Sequence, residues 1–170
     1  MSAGGELARM SEPFPEAPRL RTVADYQFGR GAGAALFPPD GDLRVKRSSS
    51  DRVAQVHADD GRLVTFATDG RFTLGLAGGE RLASALPAPA NRVVVGDESE
   101  PYVREGRNAF AKFVTAVDPD VRPGDEVLVV HGDRSPPAAL LAVGRAELPA
   151  GAMADFDTGV AVKIRDGADG

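Results

Sequence analysis

The chain offers little material for acid–base, nucleophilic or metal chemistry. His57 and His131 are its only imidazoles, and it has no cysteine. That excludes thiol catalysis, cysteine-based zinc sites and a disulfide scaffold. His57 stands near Gln55 on an expected strand and His131 ends another, and neither is spaced for a metal ligand set. The carboxylates of Asp59-Asp60 and Asp118-Pro119-Asp120 fall where turns are expected, which makes them poor candidates for a general acid–base pair. Ser48-Ser49-Ser50 has no base within motif distance. Gly29, Gly31 and Gly33 have the spacing of a nucleotide loop. No clear strand precedes them, however, no long helix follows, and Pro38-Pro39 closes the segment. No catalytic residue, metal site or cofactor is expected.

What the chain does offer is cations. Only Lys46, Lys112 and Lys163 of its 20 basic residues are lysines, leaving 17 arginines, a bias that fits a GC-rich genome. Val160, Val162 and Ile164 share one face of an expected last strand by period two, which places Lys163 and Arg165, with Ala161, on the other. Two cations on one exposed face can neutralise phosphates; ordinary solvated charge, or an ion pair with Asp166, is the alternative. Gly106-Arg107-Asn108 follows a short expected helix. Glycine permits close backbone approach, and exposed N–H groups beside an arginine suit phosphate, although a helix cap and solvated loop would have the same sequence. Lys112 should point opposite to Ala111 and Phe113, and Arg145 at a strand end is a further candidate. Arg44 and Lys46 project from one strand face with Arg47 and Arg52 nearby, either as a second phosphate patch or as a solvated edge strand. Tyr26 and Phe28 have rings that can stack on bases, but beside a helix end they read as core.

These residues must be held by about 170 residues, enough for one ordinary domain or two small ones. With 42% hydrophobic and 26% charged residues and a mean hydropathy of −0.19, the composition is that of a folded, soluble chain. No apolar run nears the roughly 18 residues of a membrane helix, and neither a signal peptide nor a membrane partner is expected, so the expected location is cytoplasmic. The net charge of −5 argues weakly against nonspecific nucleic-acid binding, though a local patch can still bind. Residues 1–90 carry 11 basic and 11 acidic side chains and residues 91–170 carry 9 and 14, so the first half repels RNA less.

The expected fold class is α+β, a small antiparallel α+β domain followed by a mostly-β pseudobarrel. Residues 1–18, with three prolines between Ser11 and Pro18, read as a disordered lead. The first unit, 19–87, opens with a helix over 19–26 and a flexible loop at Gly29–Gly33. It turns at Pro38–Gly41, runs through strands near 43–47, 53–58, 62–68 and 71–76, and ends in a helix over 79–86. Pro87-Ala88-Pro89 is a linker. The second unit, 91–167, has strands near 92–95, 110–114, 126–130, 140–146 and 159–165. Helices are expected over 99–105 and 149–156, and a polar loop around Pro136-Pro137. Two hydrophobic patterns flanking a proline linker predict separable units.

The second unit strongly resembles a PUA domain, a small RNA-binding pseudobarrel attached to many RNA-modifying enzymes. The blocks Gly106–Val114, Val121–Val130, Ala142–Arg145 and Gly159–Arg165 carry the resemblance, in family order. Val23–Gly29, Ala35–Pro38 and Asp69–Leu74 resemble the small domain that precedes the PUA domain in archaeal tRNA-guanine transglycosylase and archaeosine synthase. The resemblance implies that the Gly106 loop lies beside the last strand, against the RNA backbone. Gly106, Arg107, Asn108, Lys112, Lys163 and Arg165 would then form one surface with Arg145 at its margin, while Arg44, Lys46 and Arg47 form a possible second patch. That family's catalytic barrel and cysteine zinc site have no counterpart in these residues. The function expected is noncatalytic RNA binding, of tRNA, in support of archaeal tRNA modification in the archaeosine pathway, alongside a separate catalytic subunit. The alternative is a protein–protein adaptor whose PUA-like fold docks to an RNA-modifying enzyme, which the acidic second unit favours.

Overall fold

A computed structural model describes residues 12–132 and 140–170. The expected lead as far as Ser11 and the loop at Pro136-Pro137 lie outside the described residues. The remainder of the lead is ordered, contrary to expectation. Phe14 is buried edge-on against Phe37, with ring centroids 6.1 Å apart. Glu12 pairs with Arg21 and Glu16 with Arg47. One apolar plug and two ion pairs, the second of them to a distant strand, outweigh a proline-rich composition.

Helix α1 (Ala17–Phe28) buries Leu20, Ala24 and Phe28, which recur at i, i+4 and i+8. The expected flexible loop is partly helical, because α2 (Ala32–Leu36) follows at once. Gly31 takes a left-handed φ of 97°, and Gly33 lies on the Arg21 carbonyl where no Cβ fits. The glycine spacing therefore serves close helix packing. Strands β1 (Arg44–Arg47), β2 (Val53–Ala58), β3 (Gly61–Phe66) and β4 (Phe72–Leu74) pair in that order, all antiparallel. The row Val45, Val56, Val64 and Leu74 crosses the sheet on the face that the helices cover. Helix α3 (Leu76–Ala85) begins at Gly75, so β4 stops short of Leu76.

The second sheet holds β5 (Arg92–Val95), β6 (Ala109–Phe110), β7 (Val114–Val117), β8 (Glu126–His131), β9 (Leu140–Ala146) and β10 (Val160–Gly167). Its order is β6-β10-β9-β8-β5-β7, antiparallel except for β5 beside β8. Short helices α4 (Glu100–Arg104) and α5 (Ala150–Asp155) accompany it. The result is the α+β pairing expected, a small antiparallel sheet with helices and then a nearly closed, barrel-like sheet. The expected strand over 110–114 is broken by a 3-10 turn, Ala111–Phe113, whose first N–H bonds to the Gly159 carbonyl.

The two sheets share a core. Leu128, Val130, Leu140 and Val143 of the second pack in one cluster with Leu63 and Leu74 of the first and Leu82 of α3. Gly79 of α3 sits where a Cβ would run into Val143. The guanidinium of Arg92 is buried at the junction and donates to the Ala83, Leu86 and Ala90 carbonyls, and burial lowers its pKa. Strands β8 and β9 are buried on both faces: Leu128, Val130, Leu140 and Val143 enter this shared cluster, while Val127, Val129, Leu141 and Ala142 enter a second one within the second sheet.

Candidate nucleic-acid interface

The last strand is held by the loop expected beside it. Gly106 closes α4 with φ 103°, and Gly167 of β10 packs against the Arg104 carbonyl and the Gly106 nitrogen. The Asn108 Oδ1 accepts the Ile164 N–H at 3.0 Å, just where the pairing of β10 with β9 slips between Ile164 and Asp166. Asn108 is thus engaged in positioning the strand. Arg107 is exposed, with its guanidinium 5.6 Å from the centroid of the Tyr102 ring. Lys112 departs from expectation. It rides on the 3-10 turn with its ammonium 5.0 Å from the Phe113 ring, not on a strand face.

Lys163 and Arg145 face one another across β10 and β9. With Ile164 and Arg165 they line a groove of about 230 Å³. Arg145 also pairs with Glu147 at 3.0 Å, whereas Lys163 is exposed and has no ion-pair partner among the described residues. Arg165 does not project freely as expected. Its two terminal nitrogens each lie 2.7 Å from the Glu126 carboxylate, and Nη1 also donates to the Leu74 carbonyl at 3.0 Å. Glu126 is buried and accepts the Leu74 N–H at 2.8 Å. This cluster ties β10, β8 and β4 together. Ala161, expected outward beside the two cations, is fully buried because the β10 pairing with β6 is irregular between Val160 and Val162.

The first-unit patch divides in the same way. Arg44 reaches Asp59 at 3.1 Å and Lys46 is exposed. Arg47 is engaged by Glu16 at 2.7 and 2.9 Å, and this hydrogen-bonded pairing holds the Glu16 carboxyl below its usual range. Arg52 caps the Phe66 and Ala67 carbonyls and stacks over the Phe66 ring. Of the two aromatics read as core, Phe28 is buried but Tyr26 is 95% exposed. His57 bonds to Gln55, and His131 lies between Asp97 and Glu100. Among the described residues no three metal-ligating side chains cluster, and no helix is long and apolar enough to cross a membrane. Arg62 and Arg71, which belong to neither expected patch, pair with Asp166 and Asp125 where the two sheets meet. The signal for Arg71 was its place directly after the Asp69-Gly70 turn, at the start of an alternating strand.

Residues 18–89 match the family model for the patch-forming domain C2 of tRNA-guanine transglycosylase, and residues 91–168 match that of the PUA domain. The chain is 44% identical over 151 residues to tRNA-guanine(15) transglycosylase of Methanothermobacter thermautotrophicus, covering 88% of this chain and 22% of the relative. It is also 44% identical over 149 residues to the enzyme of the same name from Pyrococcus furiosus, covering 87% and 24%. The chain therefore spans about a quarter of the length of these relatives. Two solved structures share the fold. One is a hypothetical protein from Pyrococcus horikoshii OT3, with TM-score 0.70, 19% identity and 91% of each chain covered. The other is a conserved PUA domain protein from Thermoplasma acidophilum, with TM-score 0.62, 22% identity, and 89% and 88% covered.

Proposed function

We propose, from the premise that the chain is a PUA-domain protein resembling the C-terminal, pre-PUA plus PUA part of archaeal tRNA-guanine transglycosylase, that it binds tRNA without catalysing a reaction itself. The observation that carries this reading is the groove where Lys163 and Arg145 stand side by side, next to the loop at Gly106. Glu147 already compensates Arg145, so Lys163 is the cation of this pair left to meet an incoming anion, with Arg145 beside it. Phosphate contacts of this kind position an RNA and add little sequence discrimination.

The noncatalytic half of the reading is supported by what the titratable groups do. Glu126 is tied up by Arg165 and Leu74, His57 by Gln55, and His131 by Asp97. The role that follows is to present tRNA to a separate catalytic subunit of a modifying enzyme. The test is tRNA binding by the purified protein, with guanine exchange assayed in parallel. Binding without exchange is expected. Exchange by the isolated chain overturns the noncatalytic reading. Absence of tRNA binding at low salt, with retention on a modifying enzyme, favours the adaptor.

A further inference from the structure

The outer face of the first sheet is polar and runs into the groove on the last strand. Strand register puts Arg44, His57 and Arg62 in one row across β1, β2 and β3. Lys46, Gln55, Thr65 and Thr73 form the next row across all four strands. At the seam between the sheets, Arg62 lies 3.1 Å from Asp166 of β10, and Arg71 lies 3.4 Å from Asp125. Arg71 and Thr73 line a cavity of about 300 Å³ together with Arg145 and Arg165, the same two arginines that line the groove of Lys163. Gln55, His57 and Arg62 line another, of about 460 Å³, that reaches Asp166.

From this continuity we infer that one RNA stem lies across both units, with Arg62 and Arg71 at the seam contacting its phosphates. The inference rests on the RNA-binding reading above. The two rows carry cations, an amide, an imidazole and hydroxyls, and neither contributes a large apolar ring. Such side chains match the phosphates and 2′-hydroxyls that a duplex displays, whereas single strands are commonly held by stacking on exposed aromatics. Burial, and then the charges of Lys46, Arg62 and Arg44, hold the His57 imidazole below its ordinary pKa, as a positive surface would. Both seam arginines are partly exposed and paired with carboxylates. Exposed pairs contribute little, so a phosphate can take the place of the carboxylate.

Opposite substitutions separate this role from simple stapling of the units. Arg62→Ala with Arg71→Ala is expected to weaken binding of an RNA hairpin stem and to reduce its salt slope by about 1.8, while leaving a single-stranded oligonucleotide unaffected. Asp125→Asn with Asp166→Asn is expected to tighten stem binding. It should do so more than Asp40→Asn with Glu98→Gln, an equal change of net charge at two exposed carboxylates outside the two rows and the seam. A stapling role predicts instead that both seam pairs lower the melting temperature and neither shifts stem affinity in opposite directions. That result overturns the inference and leaves the proposed function standing if Lys163→Ala still weakens binding. Failure of the wild-type protein to bind any RNA overturns both.

Discussion

Glu126 is 5% exposed, and every partner of its carboxylate comes from another strand: the Leu74 N–H and both arms of Arg165. Removing Arg165 strands that carboxylate, so Arg165→Ala should cost about 2–4 kcal/mol in urea unfolding, discounted because the arginine is about a third exposed. Lys163→Ala should cost no more than about 0.5 kcal/mol in the same assay, since its side chain is exposed and has no ion-pair partner among the described residues. Equal losses from the two variants contradict the division of roles. Period-two alternation correctly separates Lys163 and Arg165 from Val162, yet Arg165 looks solvent-directed because Glu126 lies 39 residues earlier. The lowered pKa of His57 carries its own sign. The unfolded chain takes up the proton first, so the stability contributed by the neutral ring is present above about pH 6.5 and lost as pH falls toward the lower folded value. His57→Gln should flatten the decline of the melting temperature over this range; a decline as steep as that of the wild type contradicts the assignment.

At the scale of elements, the strands are well marked in the sequence because their alternation is local, while the pieces that depend on distant partners are not. Helix α2 sits in what reads as a flexible glycine loop because Gly33 rests on Arg21 of α1. The 3-10 turn that lifts Lys112 off a strand depends on the Gly159 carbonyl. Helix α3 carries Gly78 and Gly79 in its interior, each costing about 1 kcal/mol of helix propensity relative to alanine. Close approach explains their retention, for a Cβ at Gly78 would strike the Leu63 carbonyl of β3. Gly78→Ala is therefore expected to destabilise by about 1–3 kcal/mol despite the gain in propensity, because overpacking against backbone outweighs it. A rise in melting temperature would show that α3 does not sit this close to the sheet.

Among the described residues an apolar cluster runs between the two sheets, beside a second one inside the second sheet, and the proline-rich linker hides this sharing in the sequence. Residues that alternation assigns to two domains meet in the first cluster, Leu128, Val130, Leu140 and Val143 against Leu63, Leu74 and Leu82. The intact chain should unfold in one cooperative step, and a fragment of residues 91–170 should melt well below it, since that cluster would lose its cover. Two transitions, with the fragment as stable as the intact chain, contradict the shared core. The same joining of units places the cations of both on neighbouring surfaces, despite a net charge of −5. The most direct measurement of the RNA-binding claim is the affinity for tRNA at several salt concentrations, for the wild type and Lys163→Ala. Binding that weakens steeply with salt, and a slope reduced by about 0.9 in the variant at unchanged melting temperature, is the expected result. Identical curves for the two proteins contradict it.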